Sequence, residues 1–408
     1  MVELCDALEA ADPAEREAAL FAGLVRALAL ARDSQSLWKE RLRGIDPYTI
    51  ASRQALAQVP LLRKSDLYEL QHRDLPFGGL NATPPGKLAR LFMSPGPIFE
   101  PGGHGTDWWG AARALFAAGI RGGHIVLNTF SYHLTPAGAM FECGAHALGC
   151  AVIPAGPGNT AQQLAAIGHY RPDAYVGTPD FLKILIDRAA QAGGDVGSLR
   201  RAVVSGAAFP PSLKAEFHNR GLVVRQAYGT ADLGIVAYEA EGPGLVVNEG
   251  IILEIVRPGT GEPVRDGEVG EVVVTRVNAD YPLFRFATGD LSCIIARSSH
   301  GGRTNMRIQG WLGRTDQATK IRGMFIRPEQ ITAIAQRYPD LGRLRLVITR
   351  IDEQDGLTLL VEHSDSSLKD ELSAGFTELT KLHGDIQIVP PGSLPNDGKI
   401  IVDQREHS

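Results

Sequence analysis

Apolar positions along the chain follow two rhythms, and the change between them divides it. Between residues 125 and 224, apolar runs of three alternate with longer amphipathic stretches. Runs at 125–127, 151–153, 174–176, 202–204 and 222–224 read as strands. Helices are predicted over 137–148 and 161–169, from Thr178-Pro179 through Phe181, Leu182 and Leu185, and around Leu213. Short apolar strands that alternate with amphipathic helices imply βαβ units and a parallel sheet covered on both faces. Ahead of this block the pattern is helical. Asp12 caps a helix that Pro13 opens and Glu15 supports. Leu20, Leu24, Val25 and Leu28 fall on one of its faces. A second helix holds Leu37, Trp38 and Leu42, and residues 61–67 read as a loop leading into another helix. This opening is expected to carry packing rather than chemistry.

After residue 232 the rhythm changes. Residues 253–256 and 270–275 alternate or run apolar, between turns such as Pro258-Gly259 and Asp266-Gly267. They predict an antiparallel sheet or barrel packed on the α/β core. Past Arg314 come a turn at Gly323, a helix over 328–337, a hairpin near Asp355-Gly356, a helix over 368–382 and a strand over 386–389. The expected organisation is a large α/β domain over 1–313 and a small α+β domain over 314–408, with a hinge near residues 314–316.

Composition narrows the function classes. A chain of 408 residues with 44% hydrophobic and 21% charged positions is an ordinary globular composition. A net charge of −5 supplies no basic field for nucleic acid. There is no apolar run of about 18 residues, so no membrane span is expected, and the first residues lack the pattern of a signal peptide. The four cysteines, Cys5, Cys143, Cys150 and Cys293, form no CxxC pair. They read as free thiols in a reducing cytoplasm. A homodimer is left open.

Candidate chemistry concentrates where the strand at 222–224 runs on through Tyr228-Gly229-Thr230-Ala231-Asp232. Strand ends of open α/β sheets are where ligands bind. A glycine lets backbone approach a ligand, and a hydroxyl with a carboxylate suits a phosphate and its Mg²⁺. Three further segments recur with it: Phe286-Ala287-Thr288-Gly289-Asp290, Gly313-Arg314-Thr315-Asp316 and Gly398-Lys399.

In this order the segments resemble the adenylate-forming ligases, and most closely the phenylacetate–coenzyme A ligase branch, over nearly the whole chain. Residues 60–67 and Leu75-Pro76-Phe77-Gly78 are similar to that branch's opening segment. Tyr132 to Pro154 is similar to its aryl-pocket stretch, and residues 313–328 to its hinge segment. The resemblance implies an ATP-dependent, AMP-forming ligase that uses Mg²⁺ and joins an aromatic carboxylic acid to CoA through an acyl-adenylate. It implies that Lys399 supplies positive charge at the α-phosphate, Thr230 contacts that phosphate, and Asp232, where the family usually has glutamate, holds Mg²⁺. Tyr228 and Gly229 would face adenine, with Gly206 and Ala207 in the adenine-side turn. Asp290 would bind both ribose hydroxyls. Arg314 would reach the ribose or phosphate, Ser94 would serve the phosphate loop, and Asp316 would be the hinge. The acyl pocket would be built from Tyr132, His133, Thr135 and Gly206. The branch commonly has glycine where His133 stands and phenylalanine where Thr135 stands, so a more polar acid than phenylacetate is expected.

Two departures stand out. The phosphate loop reads Met93-Ser94-Pro95-Gly96-Pro97-Ile98-Phe99-Glu100-Pro101-Gly102-Gly103. Two prolines remove N–H donors, the family's lysine is gone, and Glu100 is expected to repel phosphate. Around His300 the cysteines that bind zinc in some relatives are missing, so no metal beyond Mg²⁺ is expected. Two other functions follow from these features: a nucleotide- or adenylate-binding protein with little turnover, or an enzyme that passes the acyl group to a carrier protein or an amine.

Overall fold

A computed structural model describes residues 3–207, 209–296, 300–315, 319–321, 324–326, 328–338, 340–351, 354–395 and 400–405. By its internal contacts the chain divides into two units, Met1–Leu312 and Gly313–Ser408.

The first unit opens with α1 (Pro13–Ser34). Asp12 caps it by accepting from the backbone N–H groups of Ala14, at 2.8 Å, and Glu15, at 3.2 Å. The buried stripe is Phe21, Leu24, Leu28 and Ala31, at helical spacing. Helices α2 (Ser36–Arg41) and α3 (Arg53–Leu56) follow. Trp38 of α2 is fully buried and meets Phe284 edge-on, with ring centroids 4.7 Å apart. Strand β1 (Leu62–Arg63) and α4 (Leu67–Arg73) close the opening segment. A hairpin of β2 (Arg90–Ser94) and β3 (Ile98–Gly102) comes next, paired up to Ser94 and Ile98.

The predicted alternation then appears in full. After α5 (Ala112–Ala117) come β4 (Ile125–Asn128), α6 (Ala137–Ala147), β5 (Ala151–Pro154) and α7 (Thr160–Tyr170). They are followed by β6 (Ala174–Gly177), α8 (Pro179–Ala192), β7 (Arg201–Val204) and α9 (Pro211–Asn219). The block ends with β8 (Val223–Thr230). Strands β5, β4, β6, β7 and β8 lie side by side in that order, all parallel.

The sheet does not stop there. Strand β8 is eight residues long; its first half pairs with β7, and its second half pairs antiparallel with β9 (Gly234–Glu239). Strands β10 (Leu245–Val247), β15 (Arg307–Ile308) and β14 (Ile294–Ala296) continue the same sheet antiparallel. The parallel sheet thus gains an antiparallel extension built from strands other than the segments expected in an antiparallel sheet, 253–256 and 270–275. The reason is length: β8 extends past the end of β7 and offers a new edge. A second sheet joins β11 (Ile251–Val256), β12 (Gly270–Arg276) and β13 (Leu283–Ser292) antiparallel. Strand β1 adds to it in parallel, Leu62 opposite Phe286 and Arg63 opposite Ala287.

The second unit begins with β16 (Gly313–Arg314) and the hairpin of β17 (Thr319–Ile321) and β18 (Met324–Ile326). Its remaining elements are α10 (Pro328–Arg337), β19 (Leu344–Ile351), β20 (Gln354–Glu362), α11 (Lys369–Thr380), β21 (Asp385–Val389) and β22 (Ile401–Asp403). They form a sheet in the order β21-β20-β19-β22 over a core that includes Ile331, Ile334, Leu346, Leu359 and Phe376. The hairpin expected near Asp355-Gly356 is present: β19 and β20 pair antiparallel from Ile351 opposite Gln354, with Asp355 and Gly356 opposite Arg350 and Thr349. A Cβ at Gly356 would stand 2.7 Å from the Thr349 hydroxyl, so this glycine makes room for a cross-strand threonine. Among the described residues no helix is long and apolar enough to cross a membrane.

Candidate active site

The first unit places six of the sequence-predicted residues, Gly206, Ala207, Tyr228, Gly229, Thr230 and Asp232, at or just beyond the C-terminal ends of β7 and β8. Beyond β7 the chain turns at Ser205, whose N–H donates to the Gly177 carbonyl at 3.1 Å. Gly206 takes φ +76°, a conformation that favours glycine. Ala207 follows it, exposed. The next strand end carries Tyr228, Gly229 and Thr230. Gly229 is required for a different reason than expected. A Cβ there would stand 2.5 Å from the Gly234 carbonyl oxygen, so its bareness serves the β8–β9 hairpin before any ligand. Thr230 holds the hairpin turn, its hydroxyl accepting from the Leu233 N–H at 3.1 Å.

Asp290 stands beside this group, its carboxylate bonded to Tyr228. The preceding Gly289 has φ +79° and donates its N–H to buried Glu271 at 3.2 Å. One Asp290 oxygen accepts from the Tyr228 hydroxyl at 2.9 Å; the other accepts from the Trp311 indole N–H at 3.1 Å. These two donors fix the direction of the carboxylate. Trp311 went unremarked in the sequence; only its place two residues before Gly313-Arg314 hinted at it.

Asp232 sits in the turn after Thr230, 2% exposed. Its Oδ2 accepts from Lys64 Nζ at 2.7 Å. Lys64 follows β1 directly, so pairing β1 along β13 delivers this ammonium to the site. The opening segment thus contributes chemistry as well as packing, contrary to the sequence expectation. Burial works against the charge on Lys64, but Asp232's charge and hydrogen bond outweigh it, and Glu100 and Asp290 add to them; its pKa is raised. Asp232 Oδ1 is buried with no hydrogen-bond partner among the described residues. A buried, unmatched carboxylate oxygen fits a hard cation such as Mg²⁺.

Ser94 and Glu100 face each other across the β2–β3 hairpin. The Ser94 hydroxyl donates to Glu100 Oε1, and its N–H donates to Oε2 at 3.2 Å. Ser94, expected to serve phosphate, is thus engaged by Glu100. Glu100 is 1% exposed. Burial, and then Asp232's negative charge, push its carboxyl up to about 8 against the Ser94 bonds and Lys64. It is therefore largely neutral near pH 7, and repels phosphate less than its sequence suggests. The same fields act on the buried Tyr281 hydroxyl, whose pKa burial, Asp232 and Glu100 raise.

The acyl-pocket candidates lie between β4 and α6. Tyr132 is half-buried; its hydroxyl accepts from Asn128 Nδ2 at 2.8 Å, and its ring leaves no room for a side chain at Gly138. Burial and Glu142 raise its pKa. His133 is exposed and Thr135 half-buried. The loop is tied to the hairpin by the Met93 N–H, which donates to the Leu134 carbonyl at 2.8 Å. This sets the candidate pocket wall beside Ser94. Arg314 belongs to the second unit, and Asp316 and Lys399 lie outside the described residues.

The profile of the AMP-binding enzyme family matches residues 111–279. Phenylacetate–coenzyme A ligase of Thermus thermophilus is 30% identical over 347 residues, which span 79% of this chain and 75% of that one. The Escherichia coli protein of the same name is 27% identical over 392 residues, 87% of this chain and 86% of that one. Among solved structures, 2-hydroxyisobutyryl-CoA ligase in complex with 2-HIB-AMP and CoA superposes with a TM-score of 0.75. It is 24% identical and covers 98% of this chain and 92% of its own. The fold, the strand-end site and these likenesses together place the chain in the adenylate-forming family, among the AMP-forming acid–coenzyme A ligases of the phenylacetate–coenzyme A ligase branch.

Proposed function

We propose that this ligase activates an aromatic carboxylic acid more polar than phenylacetate and transfers it to CoA. The reading rests on one observation above all. Tyr228, Asp290 and Asp232 converge at the strand ends, with Asp290 held by two donors and one Asp232 oxygen left unmatched. Asp290 would accept from the ribose hydroxyls while Tyr228 lies against adenine, and Gly206 and Ala207 would border the ring. Thr230 would donate to the α-phosphate. Asp232 would hold Mg²⁺, whose charge would offset that of the phosphate oxygens when it is bound.

In the first half-reaction an oxygen of the acid attacks the α-phosphorus; that P–O bond forms as the bond to the pyrophosphate oxygen breaks. Two anions approach here, so added positive charge lowers the barrier. We assign that charge to Lys399 on the small domain (residues 314–408), which turns about Asp316, with Arg314 steadying the ribose or the adenylate phosphate. In the second half-reaction the CoA sulfur attacks the acyl carbon and AMP leaves. The aromatic class is inferred from the names of the T. thermophilus and E. coli relatives, and its polarity from His133 and Thr135.

A second reading has its own support. Ser94 is bonded to Glu100, and the hairpin that replaces the phosphate loop spans only Pro95–Gly96–Pro97 between paired residues. A protein built this way would hold AMP or an acyl-adenylate better than ATP. Pyrophosphate release over a panel of aryl, heteroaryl and fatty acids separates the two. Release with hydroxylated or heteroaromatic acids supports the ligase reading. A clear preference for plain phenylacetate or a fatty acid removes the polar-pocket assignment. No release with any acid, together with tight AMP binding, favours the second reading.

A further inference from the structure

A cavity of about 390 Å³ opens at the opposite end of the same strands, where β7 and β8 begin. Its wall carries Arg121, Arg201, Arg225 and Arg303 against Glu3 and Glu241. Arg201, first residue of β7, lies five residues before Gly206, or about 16 Å along an extended strand. This is a second site, not a lobe of the first.

The arginines are unevenly satisfied. Arg121 Nη2 pairs with Glu3 at 3.0 Å. Glu241 is shared, one oxygen to Arg225 Nη2 at 2.9 Å and the other to Arg303 Nη1 at 2.8 Å. Arg303 pairs in addition with Glu9 at 2.6 Å. Arg225 Nε is buried with no partner, and the Arg201 guanidinium makes no side-chain hydrogen bond or ion pair among the described residues. Four guanidinium groups against Glu3, Glu241 and the buried Glu9 that pairs with Arg303 leave a formal excess of one positive charge. Behind it, burial and the nearby charge of Arg303 lower the pKa of Arg307, a mark of like charges held close. Gly119 keeps the wall open: its φ is +85°, and a Cβ would stand 3.0 Å from Arg201 Nε.

We propose that this cavity, with the unengaged Arg201 beside Arg225, binds a small anion bearing a phosphate group. The planar guanidinium fork matches phosphate oxygens two at a time, the net positive charge of the wall favours an anion, and the volume falls in the range of small-ligand sites. The carboxylates already present exclude a longer polyanion, which would meet Glu3 and Glu241 at the rim.

Thermal unfolding of the full chain tests this with inorganic phosphate as the probe, alone and with AMP saturating. Phosphate raises Tm in both conditions. Arg201→Gln weakens the phosphate dissociation constant at least tenfold while the shift caused by AMP is retained, and Arg201→Lys keeps part of the phosphate effect. No stabilisation by phosphate, an equal effect in Arg201→Gln, or an effect abolished by AMP overturns the proposal. If Arg201→Gln does not fold, crystals of the unaltered protein soaked in phosphate decide. Density within hydrogen-bond distance of Arg201 and Arg225 supports the site, and an empty cavity overturns it.

Discussion

The two ends of the strand-end site are built on different principles. At one end a carboxylate, Asp290, receives two neutral donors, Tyr228 and Trp311. At the other end Lys64 pairs with one oxygen of Asp232 and Ser94 is bonded to Glu100; Asp232 raises the pKa of Lys64 against burial, while burial raises that of Glu100. Most polar groups there already have partners, so phosphates would enter by exchanging them, while one oxygen of Asp232 is left for a cation. Under the proposed function, a tied carboxylate at one end and exchangeable charges at the other would suit a site that grips adenosine first and handles pyrophosphate second.

Breaking the charge balance should have the largest effect. Lys64→Met leaves Asp232 buried with no cation, and loss of a buried pair costs about 3 kcal/mol. Denaturant unfolding measures this, and the deficit should shrink when Mg²⁺ is added. An unchanged midpoint would mean that the ion pair contributes nothing to the fold. Next, Asp290→Ala should weaken AMP binding about 100-fold, as expected for two hydrogen bonds to a charged group, with little change in stability. Calorimetric titration reads it, and a loss below fivefold would take ribose recognition away from Asp290.

The pH response sharpens the comparison further. A carboxyl raised to about 8 in the folded chain binds more protons folded than unfolded between its ordinary range and that value. Stability therefore falls as pH rises from about 5 to 8, and the full penalty stands above 8. Glu100→Gln removes the penalty, raising stability at pH 8.5 by about 1–2 kcal/mol and hardly at pH 5. Melting curves at both values check this; equal shifts would refute it. The smallest effect belongs to Tyr228→Phe. It removes one donor from Asp290 and should weaken AMP binding about fivefold, or about 1 kcal/mol, with the Lys64–Asp232 end undisturbed.

What the sequence disclosed was local. The five parallel strands were legible because apolar triplets recur between amphipathic helices, and α1 was legible because Asp12-Pro13 marks its start. Tyr228 and Asp290 stood out because glycines flank them at strand ends. Contacts between distant positions left no such trace. Lys64 and Asp232 are 168 residues apart, and nothing in 61–67 announces that β1 will pair with β13. Glu100 read as a repulsive charge because its burial and its bonds to Ser94 depend on the hairpin register. The glycine at 229 was noticed for the right place and the wrong neighbour: a carbonyl of its own chain lies where a ligand was expected.

The two-residue strand β1 has a consequence out of proportion to its length. Successive side chains on a strand point to opposite sides, so inserting a single residue before Lys64 would swing its ammonium away from Asp232. The tuning of the nucleotide cleft is thus written into the alignment of a short piece of chain far upstream. Relatives that differ by one residue in that spacing would need to find their counter-charge somewhere else.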